Sequence, residues 1–161
     1  MYVQFEEMPS HARVWVYQAN RVLNELEVAT LQEMLKQFAE NWDSHGKNLH
    51  ASFLLQHDQF IIIAVDQESS MPSGCAIDKS VALLRNAGER FDVDFFDRTN
   101  VAFRKEPKIN MLKMKDIRHK IDNGELTPDT VIFNTLVESK EQLESQWEVP
   151  AKKSWLARYF K

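Results

Sequence analysis

Apolar residues recur at helical spacing across residues 24–42 (NELEVATLQEMLKQFAENW). Leu31, Met34, Leu35 and Phe38 fall at i, i+3, i+4 and i+7, which puts them on one face of an amphipathic helix. Asn24 or Thr30 suits its start, and Gly46 its exit. Before it, residues 12–19 (ARVWVYQA) carry Val14 and Val16 in alternation, with Trp15 and Tyr17 between them. That pattern predicts a strand partly covered on both faces. Residues 49–56 (LHASFLLQ) and 59–65 (QFIIIAV) predict two further strands, and the short His57-Asp58 link predicts a hairpin. A loop by composition follows (DQESSMPSG, 66–74). Ile77, Val81 and Leu84 then stand at i, i+4 and i+7, so a second helix is expected from Cys75. Either FDVDFF (91–96) or NVAF (100–103) supplies a fourth strand. The resulting order, β-α-β-β-α-β, is that of a ferredoxin-like α+β sandwich.

The rest of the chain differs in character. Residues 1–10 (MYVQFEEMPS) read as an arm ending in a Pro-Ser turn. Past the charged, proline-containing RKEPK, the pattern gives a short helix ending at Gly124 and a turn at Thr127-Pro128. A β-branched strand (131–137), another helix and an aromatic-rich terminus follow. The expected division is therefore a ferredoxin-like domain over 1–105 and a C-terminal α/β extension over 106–161, packed on the first domain.

Composition narrows the function. Hydrophobic residues make up 43% and charged residues 27%, as in folded globular chains. A formal net charge of -4 argues against a general nucleic-acid binder, although RKEPKINMLKMKDIRHK is locally basic. The longest apolar run, residues 60–65, is too short to span a bilayer, so no membrane partner is expected. No signal-peptide pattern is visible and a single cysteine cannot form an internal disulfide, so a reducing cytoplasm is the expected compartment.

Several segments carry a resemblance: HARVWVYQANR, WDSHGKNL, FIIIAVD, SGCAIDKSV, TVIFNTLVESK and WEVPAKKSW. Together they resemble a family of short uncharacterised bacterial proteins that often bear the label ABC transporter ATPase. The stretch GELTPDT (124–130) is also similar, over one turn, to small GYF-like modules for proline-rich ligands. The ATPase label implies a phosphate loop of the form G-x-x-x-x-G-K-[ST]. The four glycines, Gly46, Gly74, Gly88 and Gly124, do not make one, and Gly46-Lys47 is followed by Asn48. The sequence therefore excludes a nucleotide-hydrolysing core.

In the expected topology, the starts of the first two strands and the ends of the last two share one rim. That rim gathers His11, the WDSHG loop with Trp42, His45 and Gly46, the SGCAIDK segment with Ser73, Gly74 and Lys79, and Arg104. A thiol at a helix N-terminus faces unpaired amides, which favour its thiolate. Cys75 is thus a candidate nucleophile, with His45 as base and Asp66 or Asp78 as the orienting acid. A ligand-binding thiol and a small, partly buried structural residue are the other readings. No CxxC and no C-x5-R loop is present. The five histidines form no HxH or HxxxH pair, and Asp92, Asp94 and Asp97 lack the glycine and terminal glutamate of a calcium loop. No metal and no cofactor is expected. The favoured function is a domain that binds a small molecule or a protein at the rim, with a homodimer left open. The alternative is a thiol-dependent acyl-transfer or hydrolytic enzyme.

Overall fold

The computed structural model describes all 161 residues. Strand β1 (Arg13–Gln18), helix α1 (Glu25–Asn41), the small strands β2 (Asp43–Ser44) and β3 (Lys47–Asn48), and strands β4 (Ala51–Gln56) and β5 (Phe60–Val65) follow in order. β5 lies between β1 and β4, antiparallel to both. All six of its positions are buried, which accounts for its unbroken apolar run. Of the two expected starts, α1 uses Asn24. The Asn24 side chain accepts from the Glu27 amide at 2.8 Å, and the Glu27 carboxylate accepts from the Asn24 amide at 2.9 Å. Leu31 and Leu35 are buried, and Met34 and Phe38 are half-buried beside them. The helix ends at Asn41; Gly46 serves the β2–β3 turn instead, at φ +80.

Helix α2 spans Gly74–Phe91, with Ser73 as its cap, accepting from the Ala76 amide at 3.1 Å. Its buried face is Ala76, Ser80, Leu84, Ala87 and Gly88, one step round from the expected Ile77 and Val81. Small residues there let the helix sit close. At Gly88 an added Cβ would stand 2.6 Å from the Val93 carbonyl oxygen, so the returning chain needs a glycine at that point. Asp92, at φ +54, closes the helix.

The expected fourth strand departs from the expectation in two ways. Residues 91–96 form no strand: Asp92 adopts the left-handed region, and the Asp94 side chain accepts from the Phe96 amide at 2.7 Å. The other candidate forms strand β6 (Asn100–Lys105), but β6 does not join β1. It pairs with β7 (Lys108–Lys113), on the other side of which the chain continues into helix α3 (Ile117–Asp122), strand β8 (Val131–Phe133), helix α4 (Lys140–Gln146) and strand β9 (Glu148–Pro150). These make a second antiparallel sheet in the order β7-β6-β8-β9. The class is α+β with antiparallel sheets, and the four-stranded ferredoxin-like sheet is not formed. The physical reason lies at the outer edge of β1. Residues 138–140 already cover its first half: the Val14 amide donates to the Glu138 carbonyl at 3.0 Å, and the Lys140 amide to the Ala12 carbonyl at 2.9 Å. The division expected at 105/106 falls at the turn of the β6–β7 hairpin, where Lys105 pairs with Lys108.

Three apolar clusters give the layers. The first joins α1 and α2 to one face of the β1-β5-β4 sheet through Leu31, Leu35, Leu84, Ile61 and Ile63. The second lies between the two sheets and holds Val14, Phe60, Ile62, Ala102, Phe133 and Trp147. The third packs Val101, Phe103 and Ile132 from the far face of the second sheet under Ile117, Leu126 and Leu156. The molecule is thus helix, sheet, sheet, helix in four layers, each buried Ile, Leu or Phe adding about 1.5–3 kcal/mol. Residues 1–10 are not a free arm, since Phe5 and Met8 are buried in the second cluster and Lys140 donates to the carbonyls of Glu6 and Met8. No helix is long and apolar enough to cross a membrane.

Candidate functional site

The expected rim exists at the start of β1, the start of β4 and the end of β5, where Arg13 and Ala51 both stand opposite Val65. Trp42 is buried there, and its indole N–H donates to the Ala76 carbonyl at 2.9 Å, pinning the β2–β3 turn to α2. The Ser73 amide donates to the Ser44 hydroxyl at 2.9 Å, and Lys79 donates to Asp43 at 3.2 Å. That bond from Lys79 lowers the Asp43 carboxyl below its ordinary value, helped by the Gly46 amide. His11 sits 3.5 Å from Asp66 and 3.3 Å from Glu68. Cys75 is the second residue of α2, next to Gly74, with Asp78 on the following turn and His45 exposed in the β2–β3 turn at φ +53.

The rim therefore collects every expected site residue except Arg104. Arg104 lies on β6, where it pairs with Glu148 and its guanidinium stands 5.4 Å from the Phe133 ring centroid. It follows β6 into the second sheet. Cys75 is exposed, which goes against the reading of it as a partly buried structural residue. No hydrogen bond joins Cys75, His45 or Asp78 to one another, and none of the larger cavities is lined by them. Nor does any cluster of three His, Cys, Asp or Glu side chains stand ready for a metal ion.

A better-formed cavity lies at the other end of β1. It has a volume of about 340 Å³ and is lined largely by apolar side chains. Val16, Tyr17 and Gln18 supply one wall, Phe95 and Phe96 a second, and Phe133 and Trp155 a third. The geometry of β1 explains the opening. The Ala19 amide donates toward β5, to Gln59, so odd positions face β5 and even positions face outward. Residues 138–140 cover the outer edge only as far as Val14, and no strand pairs with it at Val16 or Gln18. The gap left by the absent fourth strand is the cavity. Leu136, 60% exposed, and Met114, 38% exposed, stand at its mouth.

Its polar groups are few and differ in how far they are satisfied. Gln18 donates to the Asn100 carbonyl at 3.2 Å. Asp97 accepts from the hydroxyl and amide of Thr99, from Asn100 and from Lys113. The Thr99 bonds, then Lys113, hold its carboxyl down at about 2, so its charge is already answered. Arg98 takes part in no ion pair or hydrogen bond. The Tyr17 hydroxyl has no hydrogen-bond partner either, while its ring meets Phe96 edge-on at 5.5 Å. Burial pushes the Tyr17 phenol above its ordinary value, and the nearby Arg98 charge partly offsets that rise. The phenol is thus a neutral donor at neutral pH.

Sequence reasoning missed this site because its walls come from four stretches far apart in the chain, with no motif in any of them. FDVDFFDR held the one local signal: two phenylalanines followed by an Asp-Arg pair. A second opening, more polar, surrounds Arg104, Lys105, Glu106 and Asp129, but its charges largely pair with neighbours, as in Lys152–Asp129. Comparison with protein-family models, curated proteins and solved structures finds no match.

Proposed function

We propose that the protein is a binding domain that receives a small, largely apolar molecule in the cavity beside β1. One observation carries this reading: an apolar cavity of about 340 Å³ whose polar lining includes a cation and a phenol with no partner of their own. Its size sits at the lower end of the roughly 300–1,000 Å³ range of small-molecule sites, which suits a compact ligand. Converging apolar walls with a few oriented polar groups are the usual form of such sites. The thiol reading draws no support from the geometry, because Cys75 faces solvent without a paired base or an adjoining cavity. Nucleotide hydrolysis draws none from the sequence, which lacks a phosphate loop.

Trp155 is the one tryptophan lining the cavity, so it reports on occupancy. Titration with a neutral, terminally brominated decanol should quench tryptophan fluorescence saturably, with one site per chain. Trp155→Phe should remove most of that quenching while calorimetric binding persists. Thr135→Trp, which fills the cavity, should abolish binding. Linear, unsaturable quenching in the unaltered protein overturns the proposal.

A further inference from the structure

The cavity's one unpaired charge is a cation, and this selects among apolar ligands. Resting on the cavity reading above, we infer that the natural occupant is an apolar monocarboxylate, with its head group on Arg98 and the Tyr17 hydroxyl and its body against Phe96, Phe133 and Trp155. The charges at the site decide the sign. Asp97 is engaged by Thr99, Asn100 and Lys113, so it does not compete for Arg98. Arg98 is left as the one uncompensated charge lining the cavity. A guanidinium offers a planar fork that matches a carboxylate, and a neutral phenol adds a further donor.

The same arrangement disfavours other head groups. An ammonium would meet Arg98 directly and be repelled by its like charge. A neutral alcohol would forgo the charge-assisted bond that the guanidinium offers. A dianionic phosphate would bring two charges to one free cation, next to the ionised Asp97. A single negative charge on an apolar body matches Arg98 without leaving a charge over.

Isothermal titration of the full chain with decanoate, decanol, decyl phosphate and decyltrimethylammonium tests this. Decanoate should bind about ten- to a hundredfold more tightly than decanol, the range expected of a charge-assisted hydrogen bond. Decyl phosphate should bind more weakly than decanoate, and the ammonium should not bind. Arg98 is exposed, so Arg98→Gln should fold, bring decanoate down to the affinity of decanol and leave decanol unchanged. Tyr17→Phe should weaken decanoate by about three- to tenfold. If decanol matches decanoate, or if Arg98→Gln leaves decanoate untouched, the carboxylate inference falls while the apolar cavity stands. Tighter binding of decyl phosphate overturns the choice of carboxylate. If none of the four binds, the cavity reading falls as well.

Discussion

Alanine in place of Gly88 should destabilise the protein, although Gly88 lies inside a helix where alanine ordinarily helps. In an open helix the exchange gains about 1 kcal/mol. Here the new Cβ would stand 2.6 Å from the Val93 carbonyl oxygen and 3.6 Å from the Phe95 ring. The carbonyl cannot move aside alone, because the Val93 amide donates to the Gly88 carbonyl at 2.9 Å. Overpacking of this kind costs about 1–3 kcal/mol. Strain on that hydrogen bond adds about 1 kcal/mol. The helix gain offsets the smaller term, which leaves a net loss of about 1–3 kcal/mol. In a chain of this length the melting temperature should fall by roughly 2–12 °C. Thermal unfolding followed by circular dichroism measures it. Gly74→Ala is the control: nothing lies within 4 Å of its added Cβ, so its melting temperature should hold or rise slightly. Phe95 and Phe96 form a wall of the cavity, so Gly88→Ala should also weaken ligand binding. A Gly88→Ala protein that melts at or above the unaltered chain refutes the reasoning.

Truncation after residue 129 removes Ile132, Phe133, Val137, Leu143, Trp147 and Leu156, all buried in the second and third clusters. The truncated chain should show no cooperative transition by calorimetry; a transition at the full-length temperature contradicts this. Acid should weaken the start of α1. Hydrogen bonds from Arg21 hold the Glu27 carboxyl at about 2, against an ordinary 4.5. A depressed carboxyl contributes stability that is complete above its unfolded value and lost as pH falls through its folded value. Arg21→Gln should therefore melt below the unaltered chain at pH above about 4.5, with the gap closing toward pH 2. A gap that stays constant across that window counts against the Arg21–Glu27 pairing.

Local features were legible in the sequence and long-range pairing was not. Leu31, Met34, Leu35 and Phe38 declare α1 because one face of it is buried. Residues 59–65 declare β5, and the His57-Asp58 link declares its hairpin with β4, both aspects being short-range. The start of α2 was readable to within one residue: it begins at Gly74 rather than Cys75, with Ser73 as its cap. Its packing face was harder to read. Ala76, Ser80 and Ala87 are small, and they are buried because the helix approaches closely, which hydropathy does not record. The partner of β6 could not be read at all. Whether it lay beside β1 or in a sheet of its own depended on Glu138 and Lys140 reaching the β1 edge across more than a hundred residues. The error in the site follows from that. The rim residues follow β1, β4 and β5, whereas Arg104 travelled with β6 and the cavity arose where β6 was expected.

β5 has no exposed side. Ile61, Ile63 and Val65 belong to the core under α1 and α2, while Phe60, Ile62 and Ala64 belong to the core between the sheets. Its amides and carbonyls are spent on β1 to one side and β4 to the other. A polar substitution anywhere along it damages one core or the other, and a slip by a single residue exchanges the contents of both. The helical layer and the second sheet therefore share one failure point. Neither can melt while the other stays intact, and the amides of this strand should be the last in the molecule to trade their hydrogens with water.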